Sequence, residues 1–97
     1  MYVVLWAAYA RRMIYRHEDR VTTIERRGPG GVTILITESP AGRPRWTIDY
    51  YPSSRSSREA PAFTDDSQTA HIPEELEDVL TWAKRRWDDY LLARRAA

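Results

Sequence analysis

Cysteine is absent from the 97 residues, which excludes disulfides, thiolate metal sites and a cysteine nucleophile. Lysine is nearly absent. Lys84 is the sole one among 15 basic residues, and this arginine bias is read as the mark of a GC-rich coding sequence rather than a functional choice. There are two histidines, His17 and His71, and one phenylalanine, Phe63. The longest apolar run, YVVLWAAYA at 2–10, falls well short of the ~20 residues needed to cross a bilayer. It also lacks a basic leading segment, so no membrane partner and no targeting signal is expected, and the localisation expected is cytoplasmic.

What is present is a globular composition, with 42% hydrophobic and 30% charged residues, and a length that suits one domain with one core. The formal charge of +1 is unevenly spread. Residues 1–58 carry ten arginines against five acids, and residues 59–97 carry five basic residues against nine acids. The chain is basic in front and acidic behind.

The clearest element is the stretch 72–95, IPEELEDVLTWAKRRWDDYLLARR. At 100° per residue, Leu76, Val79, Leu80, Ala83, Trp87, Tyr90 and Leu91 fall on one stripe, the pattern of a core-facing helix. Pro73 suits the first helical position. Acids at the start and Arg94 and Arg95 at the end oppose the helix dipole. Trp82 and Leu92 fall off the stripe, with Arg86 and Asp89 beside Trp82. Tryptophan and arginine are enriched at binding hot spots, so Trp82, Arg86, Asp89 and Leu92 form the candidate protein-partner site. The plainer expectation is that Trp82 lies under the Arg86 stem or beneath a second element.

Residues 2–16 read as a helix or, alternatively, a strand; alanine and arginine content favours helix. Three strands follow within 20–51. Val21–Arg27 is the first. Gly28-Pro29-Gly30-Gly31 makes a turn into Val32–Glu38, where Val32, Ile34 and Ile36 alternate with Thr33, Leu35 and Thr37. Ser39–Pro44 turns into Arg45–Tyr51, with Trp46, Ile48 and Tyr50 inward. Short connections make the sheet an antiparallel meander. Residues 52–71 read as a long loop pinned by Phe63. The fold class expected is α+β: a three-stranded antiparallel meander, a long C-terminal helix packed on it and an N-terminal helix, in the order α-β-β-β-α.

No constellation points to catalysis, a cofactor or a metal. His17-Glu18-Asp19 lacks the spacing that puts two ligands on one face. Asp65-Asp66 reads as a turn or capping feature. Ser53, Ser54, Ser56 and Ser57 have no base nearby, and Gly28–Gly31 lacks the ending of a phosphate loop. The α-β-β-β-α order resembles that of double-stranded-RNA-binding domains. Where that family places lysines at the start of its last helix, this chain has Pro73-Glu74-Glu75. Three strands and a helix also resemble the arm-binding domain of phage integrases, but the link from sheet to helix is long here. Element order alone carries no assignment.

Two partner classes follow. The first is another protein, or a second copy as homodimer, met by apolar side chains at off-core positions: Trp82, Leu92, Leu35 and Tyr51. Small cofactor-free chains of this type are common among phage and mobile-element inhibitors and immunity-type proteins. The second is nucleic acid, met by Arg26, Arg27, Arg43, Arg45, Arg55 and Arg58 with Trp46, Tyr50 and Tyr51 as stacking partners.

Overall fold

The computed structural model describes residues 19–52 and 60–96. Four strands and a helix follow one another: β1 (Arg20–Arg26), β2 (Val32–Glu38), β3 (Trp46–Pro52), β4 (Phe63–Asp66) and α1 (Leu76–Ala96). The strands pair in sequence order, β1-β2-β3-β4, each antiparallel to the next. The class is α+β. The expected N-terminal helix over 2–16 lies outside the described residues, and from the first strand onward the order is β-β-β-β-α rather than the expected β-β-β-α.

Alternation sets the sheet's two faces. Ile24 pairs with Ile34, Ile34 with Tyr50, and Ile36 with Ile48. Val32, Ile34, Ile36, Trp46, Ile48 and Tyr50 are all buried on the face that meets α1. The stripe on α1 supplies the other half of the core. Val79, Ala83 and Trp87 are buried, and Leu80, Tyr90 and Leu91 pack partly against them. Leu76, expected on the stripe, is 40% exposed as the first residue of α1.

The expected three-stranded sheet is corrected to four, and the expected 52–71 loop contains β4. Phe63 opposes Tyr50 and Asp65 opposes Ile48 on the helix-facing side, while Thr64 opposes Asp49 on the other. Tyr50 and Phe63 stack with centroids 4.1 Å apart, and the Thr64 hydroxyl donates to Asp49 Oδ1 at 2.8 Å. Four residues give too few alternations to stand out, and aspartate is a poor strand former. The strand exists because its partners across the sheet and on the helix hold it.

The helix begins later than expected. Val79 N–H donates to the Glu75 carbonyl at 2.9 Å, which makes Glu75 the capping position. Ile72 instead packs against the core from an extended connector; a residue before proline favours that backbone. Pro73 is therefore outside the helix rather than at its first position. Glu77 and Asp78 at the start and Arg94 and Arg95 at the end oppose the dipole as expected.

Three consecutive helix residues tie α1 to three parts of the sheet. Arg86 Nε lies 3.2 Å from Asp65 Oδ2 of β4. The Trp87 indole N–H donates to the Gly30 carbonyl at 2.9 Å. Asp88 Oδ1 accepts from Arg26 Nη1 of β1 at 2.6 Å. At 100° per residue, 86 and 88 point to opposite flanks and 87 points between them, so one turn fixes the helix over the full width of the sheet.

Candidate protein-docking surface

The sheet face turned away from α1 is closed at its centre and open at Thr23, Glu25 and Thr64. Tyr51 is 6% exposed and Thr37 and Asp49 are 3% exposed, and Leu35 is half-buried. Tyr51 therefore leaves the set of open apolar positions, while Leu35 remains half-exposed.

The outer side of α1 is different. Leu92 is 60% exposed. Trp82 is half-buried, partly packed against the core. Asp89 is exposed between them. Arg86 does not join this group. Its guanidinium sits over the Phe63 ring at 4.7 Å and against Asp65, so it serves the fold. Arg85, one residue earlier, is exposed on the outer side and belongs with Asp89. Its signal in the sequence is spacing. At 100° per residue, positions 78, 82, 85, 89, 92 and 96 fall within one arc opposite the core stripe. Neither Arg85 nor Asp89 takes part in an ion pair among the described residues.

Tyr50, Asp65 and Asp66 are held in structural bonds. The Tyr50 hydroxyl donates to Asp65 Oδ2 at 2.9 Å in the buried layer under α1. Burial, then the negative charge of Asp65, then that hydrogen bond push the Tyr50 phenol far above its ordinary range, against the opposing pull of Arg86. A phenol held neutral in this way is a donor, not a base. Asp65 and Asp66 point to opposite faces. Asp66 Oδ1 accepts from the N–H groups of Gln68 and Thr69 at 2.8 and 3.0 Å, the turn feature expected of it. His17 lies outside the described residues and His71 is exposed. Among the described residues no three His, Cys, Asp or Glu side chains come together as a metal site would require.

A shallow cleft of about 350 Å³ opens where the β1–β2 turn meets the end of α1, lined by Gly28, Gly30, Pro52, Tyr90, Leu91 and Arg94 among others. Arg94 closes one side, donating from Nη1 to the Tyr90 hydroxyl at 3.0 Å. The cleft is apolar apart from these two side chains and turn backbone, and it contains no acid–base pair.

The arginines proposed for nucleic acid are brought to opposite ends. Arg26 and Arg27 flank the β1–β2 turn, Arg43 and Arg45 the β2–β3 turn, and the six steps of β2 between them span about 20 Å. Arg26 is bound to Asp88. Arg45 is bound to Glu38 through Nε at 3.2 Å and Nη2 at 2.8 Å. Arg55 and Arg58 lie outside the described residues. Trp46, Tyr50 and Tyr51 are buried.

The fold thus defines a helix-on-antiparallel-sheet protein in which α1 is exposed at Asp78, Arg85, Asp89, Leu92 and Ala96 on its outer face. No protein-family model, no curated protein and no solved structure matches the chain. Among the described residues no helix is long and apolar enough to cross a membrane.

Proposed function

We propose that the protein is a non-enzymatic binding module that docks on a protein surface through the outer face of α1. One observation carries the reading. A solvent-facing leucine, a half-exposed tryptophan and two opposite charges with no ion pair among the described residues share one side of a helix whose other side packs on the core. An amphipathic helix face laid against a partner is a recurrent recognition mode, and its anchors recur at such intervals. Action by covering a partner's surface, as inhibitors and immunity-type proteins do, needs nothing more than this face.

The nucleic-acid alternative has less to work with. Its aromatic side chains are buried, two of its arginines are neutralised by acids, and its basic turns stand at opposite ends of the sheet. The test is a photo-crosslinking residue placed at 92 in cells, with the same residue at the exposed position 74 as control. Crosslinks to a discrete protein from 92 and not from 74 are expected. Equal labelling from both positions, or none from 92, overturns the reading.

A further inference from the structure

We infer that the occupant of the outer face of α1 is a second copy of this chain, paired with the first as two antiparallel helices. The inference rests on the reading of this face as a docking surface and names its partner. Positions 78, 82, 85, 89, 92 and 96 line the face opposite the core stripe, the seam along which a second helix would lie, and its two large apolar side chains, Trp82 and Leu92, flank the opposite charges of Arg85 and Asp89. A twofold axis level with Trp87, perpendicular to α1, matches positions whose numbers are symmetric about 87. Trp82 then faces the partner's Leu92, and Arg85 faces the partner's Asp89. The axis repeats both contacts, so two large apolar layers flank two ion-pair layers.

Charge selects this arrangement over its alternative. A parallel pair in register would set Arg85 against the partner's Arg85 and Asp89 against the partner's Asp89, with like charges in two layers. Within one chain, Arg85 and Asp89 stand four apart in the less favourable order, basic residue first, and no ion pair joins them to each other or to other described residues. Asp88, on the flank of the seam, is already held by Arg26 at 2.6 Å and brings no free charge to the interface. The small side chain of Ala96 and the short Asp78 at the ends of the seam leave room for the helices to approach. All seam positions except the half-buried Trp82 are exposed, so their substitution leaves the core intact.

Sedimentation equilibrium over micromolar to millimolar concentration tests the pairing. The wild-type mass is expected to rise from 11.4 kDa toward twice that value. Arg85→Asp alone and Asp89→Arg alone each place like charges in both ion-pair layers and are expected to weaken association by about tenfold or more. An equimolar mixture of the two variants is expected to regain it. In the mixed pair, the aspartate introduced at 85 meets the arginine introduced at 89, and the native Arg85 meets the native Asp89. A wild type that stays monomeric overturns the inference, as does a dimer that either single variant leaves unchanged. The crosslinker at 92 separates the two failures. Crosslinks to a different protein, with a monomeric wild type, end the self-pairing and leave the docking face standing, whereas no crosslink at all ends both.

Discussion

Tyr50, Asp65 and Arg86 meet in a chain of contacts that links the sheet centre, its β4 edge and the helix. Asp65 accepts from Tyr50 at 2.9 Å and faces Arg86 at 3.2 Å. Removing the carboxylate leaves a buried hydroxyl and a guanidinium without their acceptor, so Asp65→Ala is expected to cost about 2–3 kcal/mol, read by urea denaturation. Arg86 is partly exposed, which keeps the figure below that of a fully buried pair. The phenol gives a pH signature. Its pKa is raised in the folded state, so folding favours the neutral form. The stabilisation is complete below the unfolded tyrosine pKa of about 10 and falls as pH rises beyond it. Stability measured across the alkaline range is expected to decline there. Tyr50→Phe should flatten that decline while lowering stability at neutral pH by about 1 kcal/mol through the lost hydrogen bond.

At the scale of elements, α1 is positioned by Trp87 more than by any other side chain. Its ring lies among those of Tyr50, Phe63 and Tyr90, with centroids 6.4, 6.1 and 5.1 Å away, and its N–H is spent on Gly30. Trp87→Ala is expected to destabilise by about 3–5 kcal/mol. Gly30 is the turn's counterpart. Its φ is +74°, and a Cβ there would stand 3.1 Å from Leu91 Cδ1. Gly30→Ala therefore combines a strained backbone with a crowded helix and should cost at least about 1 kcal/mol. By contrast, the Arg26–Asp88 pair is short but partly open to water on both sides, and Arg26→Ala is expected to cost at most about 1 kcal/mol in the same denaturation series.

At the scale of the molecule, stability and association are separable because they use opposite sides of one helix. Leu92→Glu is expected to leave unfolding within about 0.5 kcal/mol of wild type while removing the exposed apolar contact from the docking face. Circular dichroism melts and sedimentation on the same samples check both halves of that statement. The two unevenly charged halves of the sequence are joined by an ion pair among the described residues. Arg26 meets Asp88 across 62 positions of chain. A protein read as a basic half and an acidic half by composition is partly stitched together along that division.

The sequence by itself determined the alternating strands β2 and β3, the glycine turn between β1 and β2, and the core stripe of α1. In each case hydrophobic period or backbone preference acts over neighbouring residues, and such signals are local. Tertiary structure alone decided the rest. β4 depends on Tyr50 and Arg86, which are distant in sequence, to hold aspartates in a strand. The start of α1 depends on Ile72 finding the core. Arg86 and Arg85, adjacent and chemically identical, are divided by a 100° turn into one that clamps the fold and one that faces outward. The sequence marks Arg86 as a candidate beside Trp82, but only the position of β4 decides that Arg86 clamps the fold while Arg85 is exposed.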